Sequence, residues 1–259
     1  MPRFCANLTM MFNEVPFLDR FEAAAKAGFK AVEFLFPYDF PAAEIKARLD
    51  ANGLEQILFN MPPGDWAAGD RGTASLAGRQ DEFRAGVETS LRYAQILGCK
   101  TLHCMAGIPA PDAVMGAAAN LYAVNLAWAA EQASSANVMI VIEPINKRDM
   151  PGFLLNTTSQ ASGIIAALGC DRVRLLFDVY HCQVTEGDIT SRMKALLPII
   201  GHIQIADVPG RNEPGTGEIG WPYVFKQMDA VGYTGWVGCE YRPAATTIDG
   251  LVWRKALAV

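Results

Sequence analysis

Paired cysteines are missing from this sequence. The six it has, Cys5, Cys99, Cys104, Cys170, Cys182 and Cys239, stand singly with no C-x-x-C pair. That argues against a thiolate zinc site and a disulfide framework, and most of them read as small buried hydrophobes. No window approaches the roughly 20 apolar residues of a membrane span, and Met1 to Met11 has neither a charged leader nor a long apolar core. The protein is therefore expected to be cytoplasmic, with no membrane partner. Charge is sparse: 19% of residues are charged and the net charge is -5, which disfavours nucleic acid or an anionic membrane surface as partner. Histidine is scarcer still, with three in the chain, poor material for a histidine-rich zinc cluster.

What is abundant is apolar sequence in short runs. A 259-residue chain with 51% hydrophobic residues is globular, and one domain of this length buries roughly 75% of its unfolded surface. Runs of β-prone residues alternate with helical spacing from end to end. Phe4 to Leu8 reads as a strand, and Glu14 to Gly28 follows with helical spacing. Ala31 to Phe36 and Leu54 to Phe59 are further strands around a helix over Pro41 to Ala51. Lys100 to Cys104, Val138 to Ile142, Val173 to Asp178, Gly201 to Ala206 and Trp236 to Glu240 continue the series. Helices are expected over Asp81 to Leu97, Asp112 to Ala136, Thr158 to Leu168, Ile189 to Leu197, Trp221 to Val231 and from about Ile248. About eight β-α units without a linker are the arithmetic of a single (β/α)8 TIM barrel spanning residues 1–259. An open doubly wound sheet is the competitor, but no G-x-G-x-x-G follows the first strand to favour it.

Between Asn60 and Gln80 lies a Gly- and Pro-rich stretch too irregular to be an element. Because long loops in compact domains are usually functional and this one carries Trp66 and Arg71, it reads as a flap over a site. Arg71 would reach an anionic ligand.

Four polar residues end four consecutive apolar runs. Glu143 closes the fifth, Asp178 the sixth, Gln204 lies near the end of the seventh, and Glu240 closes the eighth. In a parallel barrel these ends share the face on which catalytic residues sit. Three carboxylates and an amide carbonyl converging there would repel one another unless a cation stood between them. All-oxygen ligation selects a hard divalent ion, Mg2+ or Mn2+ first, with cobalt permitted and zinc less favoured. The competing account is that each acid caps the next helix or pairs with an arginine.

The words Asn60-Met-Pro-Pro-Gly-Asp-Trp66 with Gly69-Asp-Arg-Gly72, Glu143-Pro-Ile-Asn146, Phe177-Asp-Val-Tyr-His181, His202-Ile-Gln-Ile-Ala-Asp207-Val-Pro-Gly-Arg211 and Gly238-Cys-Glu-Tyr241 resemble the hydroxypyruvate isomerases within the xylose-isomerase-like barrels. The resemblance spans essentially the whole chain. It implies metal binding by Glu143, Asp178, Gln204 and Glu240, with Glu143 and Glu240 also the proton donor and acceptor. It implies interconversion of hydroxypyruvate and tartronate semialdehyde through an enediolate. Many relatives in the wider superfamily carry histidine where Gln204 stands, so the site departs from the sugar-epimerase pattern. Relatives with the same words isomerise four-carbon 2-oxo acids, which leaves substrate length open. A sugar 3-epimerase and a non-catalytic acid-binding barrel are the other readings. Apurinic-site endonucleases share the barrel type but need a histidine-rich trinuclear zinc cluster.

A small 2-oxo or hydroxy acid needs a cationic partner, and Arg211, Lys147 and Arg71 lie on loops of the expected catalytic face, Arg211 being the first choice. His181, three residues beyond Asp178, would hydrogen-bond a substrate oxygen. His103 either lines the pocket or is a satisfied core histidine. His202 reads as structural packing, as do Glu33 and Glu218. Homo-oligomeric assembly is left open.

Overall fold

In a computed structural model, described for residues 2–257, eight parallel strands close into a barrel in sequence order. They are β1 Arg3–Asn7, β2 Ala31–Glu33, β3 Glu55–Asn60, β4 Thr101–His103, β5 Met139–Ile142, β6 Val173–Asp178, β7 Ile200–Ile205 and β8 Trp236–Cys239. Closure rests on β1 pairing with both β2 and β8, with Cys5 opposite Gly238 and Ala6 opposite Val32. The open-sheet alternative is thereby removed.

Helices surround the barrel: α1 Arg20–Lys26, α2 Ala42–Asn52, α3 Gln80–Leu97, α4 Met115–Ser135, α5 Thr158–Leu168, α6 Val179–Thr185, α7 Ile189–Leu196, α8 Trp221–Ala230, α9 Thr247–Gly250 and α10 Trp253–Ala256. Periodicity finds the long ones to within a few residues. It misses α6 because no loop separates it from β6: Asp178 ends the strand and caps the helix, its Oδ1 accepting from the backbone N–H groups of Tyr180 at 2.7 Å and His181 at 3.3 Å. Such a side-chain acceptor satisfies N–H groups that a helix start leaves unpaired. The helix expected from about Ile248 is instead two short helices, α9 and α10.

The large apolar core lies between the strands and the helices. A separate cluster of Leu58, Val141 and Leu176 fills the barrel interior. Burying each of these side chains contributes roughly 1.5–3 kcal/mol. Because strand side chains alternate, the residues two positions on, Asn60, Glu143 and Asp178, share the inward direction. The apolar plug is thus the floor on which a polar layer stands. Among the described residues no helix is long and apolar enough to cross a membrane.

Candidate active site

The three acids singled out at the strand ends come together, and Gln204 stands opposite Asp178 in the strand register. Glu143 follows β5 directly, Asp178 is the last residue of β6, Gln204 lies in β7, and Glu240 follows β8. All four are buried, and the register sets Asp178 opposite Gln204 and Gln204 opposite Gly238. Oε1 of Glu143, Oδ2 of Asp178 and Oε1 of Gln204 have no hydrogen-bond partner among the described residues. A buried oxygen without a partner costs about 1–3 kcal/mol, and more when charged. The strain is visible in proton affinity. Burial, then Glu240 and Asp178, push the Glu143 carboxyl well above the usual range. Burial also raises Asp178 and Glu240, against the opposing pull of Arg211. Such a set suits a hard divalent cation, which would take the unpartnered oxygens and remove the repulsion.

Arg211 supplies part of that positive charge. Its Nη2 lies 2.7 Å from Oε2 of Glu240 and 3.8 Å from Oδ2 of Asp178, and its Nη1 lies 3.5 Å from Oδ2 of Asp149. The guanidinium sits over the Tyr180 ring, 5.0 Å from its centroid. Arg211 itself adopts φ +56°, a conformation unusual for a residue with a Cβ. The loop that imposes it is organised by buried Asp207. Oδ1 of Asp207 accepts from the backbone N–H groups of Val208 and Ile219, and its Oδ2 from those of Gly215 and Gly217 and from Nε1 of Trp221, at 2.8–3.2 Å. Asp207→Ala orphans five donors at once. It is expected to cost about 3 kcal/mol or more, a fall in Tm of roughly 6–12 °C in a thermal melt.

Two histidines face Glu143. His181 Nε2 is 3.6 Å from Glu143 Oε1 and 3.8 Å from Asp178 Oδ2. Its Nδ1 lies 2.6 Å from the Asn146 side-chain nitrogen, a donor, so the ring proton of the neutral histidine belongs on Nε2 and points into the centre. Burial, then Arg211, hold His181 well below its usual range, in the neutral form. Donor atoms of Glu143, Asp178 and His181 lie within 4.8 Å of one another, so the ring borders the place where a cation would sit, with its N–H and not a lone pair facing inward. His103 Nδ1 is 3.7 Å from Glu143 Oε2, and burial, then His202, depress it to about 3. Its Nε2 has no partner, and of the two readings open for His103 the structure places it against the cavity. His202 is turned away, 2.7 Å from Glu33.

Above the acids opens a cavity of about 530 Å3, lined by Glu143, Glu240, His103, His181, Arg211, Trp66 and Arg71 among others. Arg71 stacks on Trp66 at 3.7 Å, and its Nη1 donates to the carbonyls of Trp66 and Asp70. The 60–80 loop is held in place rather than loose. Asp70 binds Arg79 at 2.7 Å, and Gly72, at φ +107°, lies so close to the Met105 carbonyl that a Cβ would collide with it. Lys147, grouped with these cations from sequence, lies elsewhere. It borders an outer groove between α4 and α5, while its neighbour Arg148 lines the cavity. Loop position alone cannot tell which of two adjacent side chains faces inward. Arg148, held to the Tyr180 hydroxyl at 3.1 Å, and the exposed Arg242 are cavity cations that sequence reasoning missed. The Lys147-Arg148-Asp149 run and the residues after Glu240 carried the signal.

Residues 21–257 match the profile of the xylose isomerase-like TIM barrels. This chain belongs to that family. Within the xylose isomerase-like barrels it is 53% identical to a 2-oxo-tetronate isomerase of Cupriavidus necator and 48% identical to a hydroxypyruvate isomerase of Escherichia coli, each match covering 98% of both chains. It is an enzyme of the isomerase type. A solved structure described as AP endonuclease, family 2 from Brucella melitensis is 46% identical and superposes with a TM-score of 0.97 over 99% of both chains. A L-ribulose 3-epimerase structure, 23% identical with a TM-score of 0.74 and covering 100% of this chain and 88% of its own, shares the fold alone.

Proposed function

We propose that this protein is a metal-assisted isomerase interconverting hydroxypyruvate and tartronate semialdehyde (2-hydroxy-3-oxopropanoate) in the cytoplasm, where its six free thiols suit a reducing environment. The observation that carries this reading is the set of three unpartnered, buried oxygens on Glu143, Asp178 and Gln204, with Glu240 beside them. These four residues would hold the cation, Mg2+ or Mn2+ by donor type. When bound, it supplies Lewis acidity to an adjacent carbonyl and hydroxyl.

Glu143 and Glu240, on strands three apart around the barrel, flank the cavity floor, so that a two- or three-carbon segment between them meets a carboxylate on either side. One takes a C–H proton to give the enediolate, the other returns a proton to the neighbouring carbon, and the hydroxyl proton passes between the two adjacent oxygens so that carbonyl and hydroxyl exchange places. Burial raises the proton affinity of both, and a cation bound among the acids would pull it down again, so the two opposing influences would set each carboxyl between donor and acceptor. His181 offers an Nε2–H to a substrate oxygen, since the nearer of the two carboxylates that it faces, Glu143, is 3.6 Å away and beyond hydrogen-bond reach. Arg211, with Arg148 and Arg71 at the cavity wall, takes the substrate carboxylate. Trp66 and the rest of the 60–80 loop cover the cavity and keep water from the reacting carbons.

A four-carbon 2-oxo-tetronate is the second reading, favoured by the 53% identical relative, and a cavity of about 530 Å3 admits either acid. Nuclease chemistry draws less support: of three histidines, His202 is committed to Glu33, and the chain is acidic. A paired assay decides between the acids. Turnover of hydroxypyruvate and of 2-oxo-tetronate is measured on the Mn2+-loaded protein, and activity toward neither removes the proposal. Run in deuterated water, the assay should place solvent deuterium at the accepting carbon; complete absence of label favours a hydride shift instead. Arg211→Ala is expected to raise KM for the preferred acid about tenfold or more, the equivalent of one charge-assisted hydrogen bond of roughly 1.5–3 kcal/mol. Mn2+ affinity should not fall, because guanidinium and cation draw on the same carboxylates. Unchanged kinetics would take Arg211 out of the substrate site.

A further inference from the structure

A glutamine ligand carries a problem that a carboxylate or histidine does not. Its amide ends have almost the same shape, but only the oxygen can face a cation, and a half-turn about the last side-chain bond exchanges them. Something must hold the nitrogen end. In this barrel Glu33, at the end of β2 and wholly buried, is placed to do so. Its Oε1 accepts from Gln204 Nε2 at 2.8 Å and from Asn7 Nδ2 at 3.0 Å, and its Oε2 faces His202 Nε2 at 2.7 Å and Cys5 Sγ at 3.7 Å. A carboxylate serving this many donors is purely an acceptor, so it admits the NH2 end of Gln204 and rejects the carbonyl. The outcome is visible at the other end, where Gln204 Oε1 is buried and unpartnered, on a residue that the register sets opposite Asp178.

The rest of the barrel keeps room for this carboxylate. Gly238 stands opposite Gln204 on β8, and a Cβ there would collide with both Glu33 oxygens. Cys5, Glu33 and His202 also bring donor atoms within 4.8 Å of one another. Their contacts are to each other and to Asn7 and Gln204, and none of their atoms is among the buried unpartnered ones, so they form a satisfied hydrogen-bond set and not a second ion site.

We propose that Glu33 is a positioning residue that fixes the Gln204 amide, so that its carbonyl oxygen and not its nitrogen faces the cation; this rests on the metal-assisted reading above. The test is Mn2+ binding to metal-stripped protein, read as free Mn2+ by electron paramagnetic resonance, with near-ultraviolet circular dichroism to confirm folding. Wild type should bind. Glu33→Gln should bind about 10–100-fold more weakly, as is typical when a residue that orients a metal ligand is lost. Gln204→Glu alone sets two carboxylates against each other and should also bind poorly. Combining Glu33→Gln with Gln204→Glu should bring the dissociation constant back to within about tenfold of wild type, because the introduced carboxylate offers an oxygen whichever way it turns. A purely structural Glu33 would not give that recovery.

If wild type takes up no Mn2+, the metal-assisted reading falls and this role with it. If wild type binds and folded Glu33→Gln binds equally well, the orienting role alone is overturned. Weakened binding in Glu33→Gln without recovery in the double variant also overturns it. Should Glu33→Gln fail to fold, the double variant carries the test: folded and binding supports the role, while unfolded, or folded without binding, overturns it.

Discussion

Glu143→Gln and Glu240→Gln are each expected to lower turnover by about a hundred- to ten-thousand-fold, the usual share of a positioned proton-transfer group. Glutamine keeps an oxygen for the cation and nearly the same volume but can neither take nor return a proton. The two variants should therefore still bind Mn2+, and the double variant should be little worse than either single one, since one broken transfer already stops the exchange. The surroundings separate the two residues. Glu240 is bonded to Arg211 at 2.7 Å, whereas Glu143 has two histidines near it, at 3.6 and 3.7 Å, and one oxygen without a partner. Steady-state kinetics on Mn2+-loaded variants of confirmed fold check the expectation. Turnover retained by both variants would remove the paired-glutamate mechanism.

The sequence makes the barrel and its four strand-end polar residues readable because each rests on a local pattern. An apolar run stopped by Glu143, Asp178 or Glu240 is a cost in any fold and needs a reason. Strand alternation then puts Glu143 above Val141 and Asp178 above Leu176. What stays hidden depends on directions across the barrel. Glu33 reads as a structural acid inside an apolar run, and only closure brings β2 to within reach of β7, 171 residues away in the chain. Lys147 and Arg148 are equivalent by position, yet they face different cavities. Helix α6 is hidden because Asp178 ends a strand and caps a helix at once. The commitment of Arg211 to Glu240 and Asp149 likewise depends on a loop shaped by Asp207, with nothing in the local residues to announce it.

Removing the cation is expected to lower turnover by roughly a thousandfold or more, since Lewis-acid stabilisation of developing charge amounts to several kcal/mol at 1.36 kcal/mol per tenfold. Resupply with Mg2+ or Mn2+ should restore it. The same acids set a signature in stability that needs no substrate. Glu143, Asp178 and Glu240 all have proton affinities raised in the fold, chiefly by burial. A raised carboxyl favours the folded state while it is protonated, so its contribution is present below the ordinary carboxylate range and is lost as pH rises through the raised value. His103 and His181 are depressed by burial and act the opposite way, losing stability as pH falls below about 6.5. Between about pH 7.5 and 8.5 these histidines are almost wholly neutral whether folded or unfolded, so the acids set the slope, with the buried thiols, also raised by burial, adding a loss of the same sign. Metal-free protein should therefore lose Tm across that window. Excess Mn2+, which takes the place of the protons, should widen its stabilising shift as pH rises. Thermal melts at pH 7.5, 8.0 and 8.5, with and without Mn2+, measure both slopes. A shift that shrinks with pH, or none at any pH, would mean that Glu143, Asp178 and Glu240 are not where the cation binds.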